Sequence, residues 1–297
     1  VVGSCPSGST NNINNEKLFG NFKIFCYICI MEINIIYNES CLDTMNRLPD
    51  SSVDLVVTSP PYEYEKDGLR KYDGNTGLGW TKSVFEECVK SLYRVLKPGG
   101  VVVWNVADKV KNGSKTLTSF EQALFFKEVG FNVNDVMIWK KANPCPQVKQ
   151  PRYSNCFEYM FVFSKGTPKT FNPIMEPCKC AGQLYDSTAK NMDGESGRHK
   201  LTYNVNKEKV KSNIWEIAVA QNKTEHPAVF PYQIAYDHIK SWSNEGELVY
   251  DPFMGSGTTA LAAIDLKRTW IGSEISEKYC DIIKERLGDK VKEEPLW

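Results

Sequence analysis

Two runs of β-branched and apolar residues, 53–57 and 248–250, each stop at a motif that a strand cannot continue. The first runs into Thr58-Ser59-Pro60-Pro61-Tyr62, the second into Asp251-Pro252-Phe253-Met254-Gly255-Ser256-Gly257-Thr258-Thr259. Proline removes a ladder donor and glycine opens backbone torsions closed to other residues, so both motifs read as loops at strand ends. Two such breaks constrain the chain towards an α/β sheet, where ligands bind beyond the carboxyl ends of the strands.

The rest of the pattern agrees. Strands are expected over 32–37, 53–57, 101–106, 133–139, 157–163, 247–250 and 269–272, alternating with helices over 41–48, 81–97, 119–129, 231–242, 258–266 and 277–287. In the helix at 81–97, Val84, Phe85, Cys88, Leu92, Val95 and Leu96 share a face, and Pro98-Gly99-Gly100 ends it. Pro231 suits a first helical turn. Alternation of this kind predicts an α/β fold with a doubly wound, mostly parallel, Rossmann-like sheet. Residues 63–80 carry no period and read as a long functional loop. Residues 165–212 lose the pattern altogether and read as an irregular insertion, with nine basic residues against five acids.

Four segments follow: 1–30, rich in Gly, Ser, Thr and Asn, as a disordered or non-native extension, with Met31 a natural start; 31–164 as one half of the main domain; 165–212 as the insertion; and 213–297 as the second half. At 297 residues and 41% hydrophobic content, the chain buries one substantial core. Lys+Arg and Asp+Glu balance at 36 each, so no global field marks a nucleic-acid binder and any such footprint is local. Ten scattered cysteines with no export signal suit a reduced, cytoplasmic protein. The apolar run 22–31 has half the length of a membrane span.

Gly255-Ser256-Gly257-Thr258-Thr259-Ala260 is a G-x-G-x-x-A turn that brings backbone and a helix N-terminus close to a ligand. A phosphate loop needs Gly-Lys-Ser or Gly-Lys-Thr, which is missing. Glu274 stands about twenty residues on, where an acid grips ribose hydroxyls. A dinucleotide fits that spacing; so does S-adenosylmethionine, which has a ribose but no phosphate and whose ammonium suits Asp251. The Ser-Pro-Pro-Tyr loop presents the Ser59 side chain and the Pro60 carbonyl as stiffened acceptors, beside the aromatic face of Tyr62.

With these two loops stand Val53-Asp54-Leu55, Leu96-Lys97-Pro98-Gly99-Gly100, Trp139-Lys140-Lys141, His226-Pro227-Ala228-Val229-Phe230-Pro231, and Ile271-Gly272-Ser273-Glu274 with Tyr279. Over 33–287 the chain resembles the permuted, beta-type amino-group DNA methyltransferases, in which the catalytic loop precedes the cofactor loop. The resemblance implies that Asp251, Phe253, Gly255, Ser256, Gly257, Thr258, Glu274 and the Phe230-Pro231 segment surround S-adenosylmethionine. It implies that Ser59, Pro60, Pro61 and Tyr62 hold the target base. Relatives commonly carry Gly-Asp where Glu39-Ser40 stand here, which leaves the contact to the cofactor adenine open between Ser40 and Asp43 one turn later. An exocyclic amine is a poor nucleophile because its lone pair is delocalised into the ring; acceptors that bind its protons restore the lone pair, and Tyr62 offers a stacking face to a flipped base.

Serine at position 59 favours the N4 amine of cytosine, as in family members with this residue; Asp or Asn there accompanies the N6 amine of adenine. Double-stranded DNA is the implied partner, a cognate restriction endonuclease an open second one, and the protein a monomer or homodimer. Arg70 and Lys71, Lys149 and Arg152, and Arg198 and Lys200 within the Lys-rich insertion are the candidate DNA contacts. No metal site is expected: Cys178-Lys179-Cys180 with Cys145 and Cys156 matches no common zinc spacing. Three histidines without a nucleophile partner give a hydrolytic triad little support. Against a methyltransferase stands a catalytically silent nucleic-acid-binding module of the same fold; Ser59, Tyr62, Asp251 and Glu274 together favour activity.

Overall fold

The computed structural model describes residues 32–64, 69–72, 75–144, 151–190, 198–219 and 231–291. The expectations for residues 1–31, Lys149, His226 and Phe230 lie outside the described residues. One large sheet organises the rest. Its strands are β1 (Ile35–Tyr37), β2 (Val53–Thr58), β3 (Leu96–Val106), β4 (Asn132–Lys141), β5 (Phe157–Ser164), β6 (Ile214–Ile217), β7 (Leu248–Asp251) and β8 (Thr269–Ser273). Across the sheet the order is β1-β8-β7-β2-β3-β5-β4-β6, and all neighbours are parallel except those flanking β5. This is the doubly wound, mostly parallel arrangement that the alternation of strands and helices implies.

Alternate residues of the central strands feed two cores. Leu55, Val57, Val101 and Val103 face one side, where they meet helices α4 (Tyr232–Trp242), α5 (Thr258–Asp265) and α6 (Glu277–Leu287). Val56, Val102 and Trp104 face the other, packed by α1 (Cys41–Arg47), α2 (Lys82–Val95) and α3 (Thr118–Val129). Strands buried on both faces read as continuous apolar runs, which is why 53–57 and 101–104 show no polar alternation. Trp104 is fully buried and satisfies its indole N–H on Gln122 Oε1 at 2.8 Å.

Three segments depart from the expectations. The long loop at 63–80 contains an antiparallel hairpin, Leu69–Tyr72 against Asn75–Leu78. Strand β3 begins at Leu96 and runs through Pro98-Gly99-Gly100, because Gly99, at φ +78°, donates to the Lys165 carbonyl at 2.7 Å and accepts from Lys169 N at 2.9 Å. The insertion forms a two-stranded arm, Met175–Pro177 on Glu208–Val210 continuing into Leu184–Lys190 on Arg198–Asn204. Its apolar residues Met175, Leu184, Tyr203 and Val210 are exposed. The arm returns through β6, an unexpected edge strand anchored by buried Trp215.

Candidate active site

Strands β2 and β7 are neighbours, with Leu55 opposite Val249 and Val56 opposite Tyr250. Their carboxyl ends therefore bring the two motifs together from 193 residues apart: Thr58 donates its hydroxyl to Asp251 Oδ1 at 2.7 Å. Thr259 at the start of α5 donates to Asp251 Oδ2 at 2.6 Å, and Phe253 N to Oδ1 at 3.0 Å. Burial raises the Asp251 carboxyl to about 6, against the pull of these three donors. A carboxylate offers about four lone-pair sites, so Asp251 joins the loops and still keeps one acceptor position for a cation.

The glycine turn is shaped from both sides. Gly255 and Gly257 take φ of +56° and +79°, and Gly257 caps α5 in the left-handed region. Glu274, at the end of β8, receives Gly255 N on Oε2 and Ser276 N on Oε1, each at 2.9 Å. Burial pushes its carboxyl up to about 7. Beneath the turn, Arg286 of α6 donates to the Ser256 carbonyl at 2.8 Å and to Thr258 Oγ1 at 3.2 Å. The turn thus presents backbone and two carboxylates, while its guanidinium is spent on the turn itself. That donor set suits a ligand with an ammonium and ribose hydroxyls better than one with phosphates.

Phe253 is half-buried and meets the edge of Trp80 at 4.9 Å between ring centroids. The Trp80 ring is itself buried, with its indole N–H unpartnered. Ser40 lies just beyond β1, next to the end of β8, where Glu274 N donates to the Tyr37 carbonyl at 3.0 Å. Its hydroxyl caps α1, accepting from Asp43 N at 3.2 Å and donating to Asp43 Oδ2 at 2.8 Å. Pro231 caps α4.

On the Ser-Pro-Pro-Tyr side, Ser59 Oγ donates to the Asn105 carbonyl at 3.3 Å and lies 3.4 Å from Tyr62 Oη. Tyr62 turns its hydroxyl inward, donating to Glu158 Oε2 at 2.5 Å. Asn105, at the end of β3, donates to the same carboxylate oxygen at 2.8 Å. Lys141, at the end of β4, binds Glu158 Oε1 at 2.7 Å. The Glu158 side chain is only 8% exposed, so its charge rests on this network. Burial, then the Glu158 charge, holds the Tyr62 phenol well above its ordinary range.

Asn105, Glu158, Arg286 and Trp80 were not among the residues singled out in the sequence, and Lys141 appeared there without a role. Glu158 carried a signal: a carboxylate inside the apolar run Phe157-Glu158-Tyr159-Met160-Phe161. Of the candidate DNA contacts, Arg70 and Lys71 stand on the 69–72 strand, and Arg198 and Lys200 on the 198–204 strand of the arm. Arg152 donates to the Gly113 carbonyl at 2.9 Å, beside a Tyr153 that is 99% exposed.

A doubly wound sheet with a glycine turn ending one central strand and a Ser-Pro-Pro-Tyr loop ending its neighbour defines an amino-group methylase. The chain belongs to the DNA methylase family, whose N6/N4 model matches residues 53–285. It is 47% identical over 254 residues to the orphan methyltransferase M.BamHII of Bacillus amyloliquefaciens, covering 81% of this chain and 91% of that one. It is 29% identical to the Type II methyltransferase M.BglII of Bacillus subtilis, over 88% of this chain and 71% of that one. Among solved structures it is similar to PvuII DNA methyltransferase (cytosine-N4-specific), with a TM-score of 0.61, 22% identity and 86% of each chain covered. It is also similar to M1.HpyAVI in complex with SAM, at a TM-score of 0.54 and 23% identity over 85% of this chain and 99% of that one.

Proposed function

We propose that the protein transfers a methyl group from S-adenosylmethionine to the exocyclic N4 amine of cytosine in double-stranded DNA, by direct in-line attack. The observation that carries this reading is the Thr58 to Asp251 hydrogen bond, which fixes the Ser59 loop against the cofactor-type turn. The family membership and a relative named as a SAM complex support the donor, and Ser59, together with the fold shared with a cytosine-N4-specific enzyme, supports the base.

S-adenosylmethionine supplies an electrophilic methyl group when bound. Asp251 keeps an acceptor for its ammonium, Glu274 accepts from ribose hydroxyls, and Phe253 lines the apolar wall beside Trp80. Ser40, at the N-cap of α1, would contact the adenine. Ser59 Oγ and the Pro60 carbonyl accept the hydrogens of the target amine, localising its lone pair, while Pro60 and Pro61 keep those acceptors in place before the base arrives. The ring of Tyr62 is left for stacking, because its hydroxyl is anchored inward. The insertion at 165–212, with nine basic residues against five acids, is the segment for sequence recognition, with Arg198 and Lys200 on DNA phosphates. Arg70, Lys71, Lys149 and Arg152 are the remaining phosphate candidates. The enzyme works where the DNA is; no described helix is long and apolar enough to cross a membrane. A cognate endonuclease is an open partner, since its relatives include both orphan and Type II methyltransferases.

Nucleoside mass spectrometry on duplex DNA treated with the protein and the donor tests the reading in one measurement. N4-methylcytosine is the expected product, and Ser59→Ala reduces its rate by about 10²–10³. N6-methyladenine moves the substrate to the other amine, and the absence of any methylated nucleoside leaves a silent binding module.

A further inference from the structure

The oxygens of Ser59, Tyr62 and Glu158 form a continuous line from the catalytic loop into the sheet, along which the Ser59 hydrogen, resting on the Asn105 carbonyl at 3.3 Å, turns to Tyr62 Oη during transfer. Ser59 Oγ is 3.4 Å from Tyr62 Oη, and Tyr62 Oη is 2.5 Å from Glu158 Oε2. Methylation of an amine leaves one proton too many on nitrogen, and Ser59, a neutral hydroxyl, is too weak a base to keep it. We infer that Glu158 is the final acceptor of that proton, reached through Ser59 and Tyr62. This role rests on the amino-methylation reading above.

The step balances without a co-reactant. As the new N–C bond forms and the S–C bond breaks, the amine nitrogen gains a positive charge. Ser59 Oγ takes the surplus proton and releases its own to Tyr62 Oη, whose proton passes to Glu158 Oε2. The N–H electron pair returns to nitrogen and the ring, Glu158 becomes a neutral acid, and both hydroxyls end as they began. Desolvation and the neighbouring carboxylate keep Tyr62 protonated, so it carries the proton rather than storing it. Lys141 and Asn105 make the arrangement workable. Lys141, held 2.7 Å from Oε1, gives the carboxylate a counter-ion where solvent barely reaches it. Asn105 Nδ2, 2.8 Å from Oε2 and 3.3 Å from Tyr62 Oη, fixes the geometry of the transfer. Protonation at the exocyclic nitrogen ends its conjugation with the cytosine ring, so the methylated ammonium gives up its proton readily.

Glu158 and Lys141 act through Tyr62 and touch no substrate, so the test needs a readout beyond rate. Single-turnover methyl transfer to duplex DNA is measured for the wild type, Tyr62→Phe and Glu158→Gln in mixtures of H2O and D2O, alongside DNA and donor affinities. Tyr62→Phe keeps the stacking ring and leaves Glu158 bound by Lys141 and Asn105, so it holds its fold even if Glu158→Gln does not. Both variants are expected to slow transfer by about 10²-fold or more with affinities unchanged, the scale of a positioned proton acceptor. The wild-type rate should fall with deuterium content along a curve, the mark of several protons in motion, and the Tyr62→Phe rate along a straight line. Wild-type rates in Tyr62→Phe, or slower rates with an unchanged deuterium curve, overturn the relay while leaving the function standing. A wild type that moves no methyl to DNA overturns both.

Discussion

Asp251 and Glu274 are acids that the folded protein holds above their ordinary values, at about 6 and about 7, chiefly by burial. A carboxyl raised in this way binds its proton more tightly folded than unfolded. Its contribution to the stability of the ligand-free protein is complete below the unfolded value and is lost as pH rises through the folded one. The same ionisation creates the acceptors proposed for the ammonium and the ribose. S-adenosylmethionine affinity should therefore rise between about pH 5 and about pH 8, while the ligand-free melting temperature loses this contribution between about pH 4 and about pH 7. Calorimetric titration and thermal melts of the wild type and Glu274→Gln check both trends, and identical pH slopes in the two proteins contradict the assignment. The outer parts of the site were legible because glycine turns, prolines and a spaced acid are local signals. Glu158, Asn105 and Arg286 were not, because their roles depend on which strands become neighbours: Asn105 meets Glu158 only when β3 pairs with β5.

At the scale of elements, the turn from β7 into α5 depends on Gly257. Its φ of +79° suits glycine, and a Cβ there would meet both the Cγ1 and Cγ2 atoms of Ile283 at 3.2 Å. Gly257→Ala should lower unfolding free energy by about 1–2 kcal/mol from the left-handed backbone alone, with the Ile283 contact adding to it, and should weaken donor binding because the Gly255 amide moves off Glu274. Denaturant titration gives the first number and calorimetry the second; an alanine variant of wild-type stability would mean that the turn relaxes freely. The element boundaries tell a similar story. Helix 277–287 falls where its period places it, because α6 buries one clear face through Tyr279, Cys280, Ile283 and Leu287. The hairpins at 69–78 and in the arm escaped, since 63–80 and 165–212 carry no apolar alternation to read. Pro98-Gly99-Gly100 was read only as a helix stop, while its pairing with 165–169 is long-range.

Charge operates at the scale of the whole molecule. With 36 basic and 36 acidic residues, the chain has no net field to draw in a polyanion, so its DNA affinity must come from a few local contacts. Residues 165–212 hold nine basic residues against five acidic, and within that span the 198–204 strand of the arm carries Arg198 and Lys200. Each phosphate neutralised contributes about −0.9 to the slope of log K against log salt. A neutral protein with a few such contacts should show a shallow slope, and replacing both Arg198 and Lys200 with glutamine should flatten it by about 2. Donor affinity should not change, because both residues are proposed as phosphate contacts and not as part of the cofactor site. Fluorescence anisotropy on a duplex across a salt series makes the measurement. A slope that survives the double substitution would move the phosphate contacts off the arm, to Arg152 and the 69–78 hairpin, and would make the arm a reader of base edges or of nothing at all.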